Sequence, residues 1–273
     1  MKIITFQGGL GNQMFIETYY RWLRKHFSTN SFWGYYPHMA LNRHNGLEIS
    51  RWFDVNLPPS CFFTRFFACC LFFINKLMRR INLTPLLTTD DSFKSKYTLF
   101  YEGYFQNKEY MEEVGAPSFR KDLMLSDENK KVLELLKLPN AVAVHVRRGD
   151  YTDSSVNYIY GGICTLEYYI KAIDKANKLI QNPHFFFFSD DKDYVKKHFD
   201  VEHMTVVDFN SGENSFFDMY LMAHASNLIL ANSTFSWWAA ALNKRVTNVF
   251  CPNRWINIDP KPNLIRKDWI IIE

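Results

Sequence analysis

The chain has 273 residues, a net charge of +4 and an aromatic content raised by 25 Phe and 15 Tyr, enough for one large domain or two compact ones. Its basic residues are spread along the sequence, which argues against a nucleic-acid binder, where Lys and Arg gather on one face. The five cysteines, Cys61, Cys69, Cys70, Cys164 and Cys251, are odd in number and lack metal-ligand spacing, which points to free thiols in a reducing compartment.

Met1-Lys2 leads straight into an apolar stretch without the h-region of a secretory signal, so a cytoplasmic location is expected. Residues 2–6 read as a strand, Gly8-Gly9-Leu10-Gly11 as the turn after it, and 14–27 as a helix with Phe15, Tyr19, Trp22 and Leu23 near helical spacing. The turn fails the dinucleotide fingerprint, because Met14 stands where the third glycine belongs, and it lacks the Gly-Lys-Ser/Thr of a P-loop. Its glycines suit either close approach of a ligand or a tight strand-to-helix turn. Pro37, Pro58-Pro59, Pro85 and Pro117 then punctuate a loop-rich middle.

Within that middle, Phe62–Arg80 is the most apolar stretch of the chain. Arg65 and Asn75-Lys76 interrupt it, so it is too short to span a bilayer. Two readings stand side by side: a basic, Phe-rich helix lying on an anionic membrane surface, or a core helix with a solvated basic tail. Apolar residues occur almost all round it.

Residues 126–138 read as a helix capped by Ser126 and Asp127. Pro139-Asn140 then breaks the chain, and the domain boundary is expected there, giving domains 1–139 and 140–273. Beyond it strands and helices alternate: a strand at 141–144, helix 165–180, strand 185–188, helix 194–199, strand 205–207, helix 215–225, strand 228–231, helix 234–242 and strand 246–250. Such alternation implies an α/β domain on a parallel sheet with covered faces.

The run His145-Val146-Arg147-Arg148-Gly149-Asp150-Tyr151 follows the first of these strands. In an open α/β sheet ligands bind at the C-terminal strand ends, and guanidinium forks match phosphate oxygens. The run reads either as a diphosphate clamp, with Asp150 holding one arginine, or as a strand-end ion pair. Two further loops share that sheet edge, Ser189-Asp190-Asp191 and Asn232-Ser233-Thr234-Phe235-Ser236. In the latter, hydroxyls and free backbone N–H groups converge at a helix N-terminus, a setting that favours an anion. Beside two arginines the anion reading gains over plain N-capping. Asp191-Lys192-Asp193 has the Asp-x-Asp spacing of a divalent-ion site, but it sits where a helix cap belongs, and arginines can neutralise phosphates without a metal. Of the histidines, only His145 is placed in the site.

Five segments in order resemble glycosyltransferase family 11, the α-1,2-fucosyltransferases: the loop from Gly8 through Asn12-Gln13-Met14-Phe15, Gly103-Tyr104-Phe105-Gln106, the His145–Tyr151 run, Ser189-Asp190-Asp191, and Asn232–Ser236 with Trp237-Trp238. The resemblance implies a GT-B-like fold, two Rossmann-like α/β domains facing a cleft with the parallel donor sheet in the C-terminal one. It implies inverting, metal-independent transfer of L-fucose from GDP-fucose to the 2-hydroxyl of a terminal β-galactoside, with no cofactor. By the same resemblance Arg147 meets the β-phosphate and acts on the leaving group, His145 lies near guanine, Asp218 reads the base, and Thr234 and Ser236 contact phosphate. Gly9, Gly11, Asn12 and Gln13 fall near donor or acceptor. Arg148, paired with Asp150, holds the loop, and Ser189, Asp190, Asn232 and Ser233 line the donor side. Glu17, Glu102 and Asp150 are candidates for the general base. Ile16-Glu17-Thr18 departs from the family's Gln-Tyr-Ala where acceptor contacts are expected. A lipid-linked glycan at the inner membrane face is the expected acceptor. Another GDP-sugar donor, or a non-catalytic GDP- or glycan-binding module, are the alternatives.

Overall fold

The computed structural model describes residues 1–27, 31–42, 44–81, 88–89, 98–149, 155–259 and 261–273, with backbone alone at positions 79, 88 and 89. Two compact units divide the chain, Met1–Lys121 and Asp122–Glu273.

In the first unit the buried strand Lys2–Thr5 lies between Phe32–Tyr35 and Phe100–Glu102 in a parallel sheet, with Thr88–Thr89 at its edge. Helix Leu10–His26 begins earlier than the sequence suggests. Gly8 makes the turn with φ +77°, a left-handed conformation that favours glycine. The carbonyl of Gly9 then accepts from the amides of Asn12 and Gln13 at 3.0 and 3.1 Å. The helix buries Ile16, Tyr19 and Leu23 against Ile4, Phe6, Tyr101 and Phe105.

Helix Phe62–Arg80 packs one side on the first unit's core and leaves a phenylalanine-rich side outward. It faces the sheet with Thr64, Ala68 and Asn75, joined by the partly buried Leu71 and Phe72, while Phe62, Phe63 and Phe66 stand 78%, 81% and 66% exposed. Among the described residues no helix is long and apolar enough to cross a membrane.

The second unit holds a six-stranded, wholly parallel sheet in the order Ile270–Ile272, Asn248–Pro252, Asn227–Ile229, Ala141–Val146, His184–Ser189, Met204–Val207. The central strands are almost continuously buried, as expected where helices cover both faces. Polar side chains start the helices between them: Thr165 accepts from the amide of Tyr168 at 3.3 Å, and Asp191 from that of Tyr194 at 2.9 Å. The helix expected over 215–225 is a 3₁₀ turn, Gly212–Ser215, followed by α-helix Phe216–Met222. The edge strand Ile270–Ile272 lies beyond the last one the sequence suggested. Both units are α/β on parallel sheets, as the GT-B-like class requires.

The division between units falls after Lys121, not after Pro139. Helix Asp127–Leu136 belongs with the second unit because Asn129 and Asn210 exchange amide hydrogen bonds at 3.1 and 3.0 Å, and the amide of Ser226 donates to the carbonyl of Leu136 at 3.0 Å. Proline marks a break in the chain there, not a break in the packing.

Candidate active site

The strand order of the second unit reverses direction once. From Ala141–Val146 the chain moves outward through His184–Ser189 and Met204–Val207, then returns to lay Asn227–Ile229 on the other side. The gap beyond the C-terminal ends of Ala141–Val146 and Asn227–Ile229 is therefore the topological switch point, where open α/β sheets take their ligands. Arg147 and Arg148 leave the first of these strands, and Ser233 and Thr234 follow the second.

Both arginines are held by the neighbouring strand end. Arg147 pairs with Asp190 at 3.0 Å, and Arg148 with Asp191 at 3.3 Å. The amide of Arg148 also donates to Asp190 Oδ1 at 3.0 Å, and its guanidinium lies 3.7 Å from the ring centre of Tyr194. The loop that supplies the two aspartates is closed by Ser189, whose hydroxyl accepts from the amide of Asp191 at 3.0 Å. Gly149 makes room for this clasp, since a Cβ there would stand 2.4 Å from Asp190 Oδ2. Asp150, expected to hold Arg148 and one of the base candidates, lies outside the described residues. Asp191, with its two oxygens on a helix cap and an arginine, already has a structural use. Arg147 and Arg148 are each about one-third exposed, so both reach solvent.

His145, at the end of the same strand, is 6% exposed. Burial pushes its pKa down to about 3, with the charge of Arg147 adding to the effect, so the ring is neutral. Its Nδ1 has no hydrogen-bond partner, a costly state for a buried polar atom and one that a ligand can relieve. The Phe235 ring lies 5.7 Å away, which brings the second loop alongside.

Of that loop, three polar side chains serve the fold. Asn232 donates to the carbonyls of Tyr160 and Trp255, at 3.0 and 3.2 Å. Ser233 caps helix Thr234–Leu242 by accepting from the amide of Phe235 at 3.2 Å. Ser236, fully buried, donates to the carbonyl of Ala231 at 3.3 Å. Thr234, half-buried, stands at the first position of that helix, where the dipole favours negative charge.

Asp218 sits near the start of Phe216–Met222, and its Oδ1 accepts from Asn210 at 2.8 Å. Burial pushes its pKa up to about 7, against the opposing hydrogen bond from Asn210. Lys192 ties this corner to the aspartate loop through the carbonyl of Asn210, at 3.3 Å.

The candidates of the first unit form a separate set. Gln13 is fully buried and donates to the carbonyls of Gly8 and Gly46, at 2.9 and 2.8 Å. Its Oε1 accepts from the amides of Glu48 and Ile49, at 2.9 and 3.1 Å. Gln13 is a brace for the glycine loop. Asn12, half-buried, accepts from Gln106 at 2.9 Å, and Gly9 and Gly11 open the helix. Glu17 is 1% exposed and pairs with Arg21 at 2.8 Å. Burial raises its pKa over the opposing effect of Arg21, and its Oε2 has no hydrogen-bond partner. Glu102, half-buried, accepts from Asn75 at 2.8 Å.

Three residues of the second site escaped the sequence reading. Tyr168 and Tyr169 donate to the carbonyls of Leu230 and His145, at 2.5 and 3.0 Å, bracing the two strands of the switch point from one helix. Tyr194 stacks under Arg148. Only the adjacency of the tyrosine pair on a helix packed beneath the site could have pointed to them.

Residues 87–273 match the profile of glycosyl transferase family 11. The chain is similar to an alpha-1,2-colitosyltransferase of Escherichia coli, at 29% identity over 97% of each chain. It is also similar to the O-antigen biosynthesis glycosyltransferase WbnK of Escherichia coli, at 34% identity over 48% of this chain and 44% of that one. Among solved structures, NodZ alpha-1,6-fucosyltransferase soaked with GDP-fucose aligns with a TM-score of 0.47 at 15% identity, over 91% of this chain and 94% of that one.

Proposed function

The chain belongs to glycosyl transferase family 11, and from that membership we propose that it transfers L-fucose from GDP-L-fucose to the 2-hydroxyl of a terminal β-galactoside, with inversion and without a metal. The observation that most supports a nucleoside-diphosphate donor is the meeting of Arg147, the unpartnered Nδ1 of His145 and the Thr234 helix N-terminus at one switch point.

In this reading guanine lies by His145 and Asp218, and the diphosphate by Arg147 and Thr234. The acceptor oxygen attacks the anomeric carbon as the bond to the β-phosphate oxygen breaks, and the electron pair leaves with GDP. Charge grows on the leaving diphosphate while the sugar becomes oxocarbenium-like. A guanidinium held in place by Asp190 stabilises that charge more in the transition state than in the ground state. The hydroxyl proton passes to a carboxylate within its reach. Of the two described candidates Glu17 is closed off and Glu102 half-buried, so Glu102 is the more accessible carboxylate.

The deciding experiment measures GDP release from GDP-fucose, with EDTA present, over a panel of β-galactosides. Turnover with at least one acceptor is expected. GDP binding without turnover on any of them would leave a binding module instead. A second donor has a specific observation in its favour, the full-length similarity to a relative named for colitose. Colitose lacks the 3-hydroxyl of fucose, so competition between GDP-fucose and GDP-colitose separates the two.

A further inference from the structure

We propose that helix Phe62–Arg80 is an interfacial helix that seats the protein on an anionic phospholipid bilayer. Its outward residues Phe62, Phe63, Phe66, Phe73, Ile74 and Leu77 are each half to four-fifths exposed. At about 100° per residue they fall within less than half of the helix circumference, as one continuous apolar stripe. The opposite side, Thr64, Ala68 and Asn75, is buried against the first unit's sheet, where Ala68 packs on Ile3 and Phe100. Leu71 and Phe72, partly buried, pack on the same cluster, so the helix is held by that side and leaves the stripe of Phe62 to Leu77 outward, and an exposed patch of this kind marks an interaction surface.

Charge selects the occupant. The helix carries Arg65, Lys76, Arg79 and Arg80 and no Asp or Glu. The exposed Arg65, Lys76 and Arg80 lie along one flank of the apolar stripe. Phenylalanine inserts at the headgroup–acyl boundary while flanking basic residues meet lipid phosphates, and the two contributions add. Burying the same stripe in a second copy would bring like charges together. Asn75 joins the helix to Glu102 at 2.8 Å, so docking would also fix how the first unit's sheet stands on the membrane. This inference does not depend on which sugar the enzyme transfers.

Flotation of the full chain with vesicles tests it. Vesicles of equal parts phosphatidylcholine and phosphatidylglycerol should carry the protein up, and raised salt should weaken the binding. Pure phosphatidylcholine should retain at least about tenfold less. The variant Phe62→Ser/Phe66→Ser/Phe73→Ser should lose the binding with an unchanged Tm, since these side chains are exposed. Arg65→Glu/Lys76→Glu should lose the preference for phosphatidylglycerol. Met124→Ser, at an exposed position elsewhere, should float like the parent. The proposal fails if the parent does not float, or if the triple serine variant floats equally well. It fails too if that variant converts a dimer to a monomer without changing flotation, because the stripe would then belong to a second copy.

Discussion

In the proposed donor site Arg147, Asp218 and His145 are each shaped by one local constraint. Arg147 is useful because Asp190 fixes it while leaving part of it open to solvent. Lysine would keep the charge but lose the fork. Arg147→Lys is expected to keep Tm within a degree or two and to lower kcat by about 10²–10³-fold, read from steady-state GDP release; turnover near the parent's would remove Arg147 from the mechanism. Gly149→Ala tests the same clasp from below. The new methyl meets a carboxylate oxygen at 2.4 Å, so Asp190 must move and Arg147 with it. Misplacement on this scale costs up to about 10²-fold in rate, and it should do so with little loss of stability, as separate kcat and thermal-melt measurements would reveal. In the proposed function Asp218 supplies the pH dependence. Burial holds its pKa near 7, above its unfolded value, so in the free protein the neutral form is favoured below neutrality. A carboxylate that accepts from guanine must be ionised, and binding must remove that proton. The apparent Kd for GDP should then fall about tenfold per pH unit as pH rises to 7, and level off above. His145, with its pKa near 3, is neutral throughout and adds no slope. Calorimetric titration of Asp218→Asn should show weaker binding with the slope gone; a slope that survives would assign it elsewhere.

The elements divide into those whose sequence carries their role and those whose role lies in a distant partner. The arginine strand was legible because a run of apolar residues ending in two arginines is interpretable only as a buried strand reaching a polar edge. Ser126 and Asp191 announced their helices because an N-cap is a local device. The partners of the arginines were not legible. Ion pairs between consecutive strand ends depend on register, here His145 opposite Phe188 and Val146 opposite Ser189, and no local pattern encodes that. The phenylalanine helix was legible as a helix, yet its orientation was not, because the contacts of Ala68, Leu71 and Phe72 with the sheet decide which side is outward. In the glycine loop the sequence suggested a ligand contact at Gln13, and its side chain instead binds four backbone groups. Gln13→Ala would leave buried amides and carbonyls without partners and is expected to cost about 3 kcal/mol in urea unfolding. Asn12→Ala, one neighbour along and half-buried, should cost well under half as much. Equal losses would contradict the assignment of Gln13 as the brace.

For the molecule as a whole, the residues proposed for the diphosphate and guanine gather in the second unit, while the glycine loop and the described base candidates lie in the first. Donor binding should therefore register unevenly. GDP at a hundredfold excess over its Kd stabilises the folded chain by about 2.7 kcal/mol. Hydrogen exchange should place the gained protection at residues 145–149 and 232–236, with the amides of Leu10–His26 unchanged. Protection centred on the glycine loop would move the donor to the first unit.

The amide pair between Asn129 and Asn210 has one more consequence. Asn210 spends one amide hydrogen on Asn129 and the other on Asp218 Oδ1, while its own oxygen accepts from Asn129. A proton on Oδ1 would face a donor, and removing that clash would require both amides to turn over together, disturbing the contact of Asn129 with Ser126 at 3.2 Å. The acid form of Asp218 therefore favours its proton on Oδ2, the oxygen that does not accept from Asn210. That oxygen presents a hydroxyl or an acceptor according to pH, with the amide pair behind it unchanged.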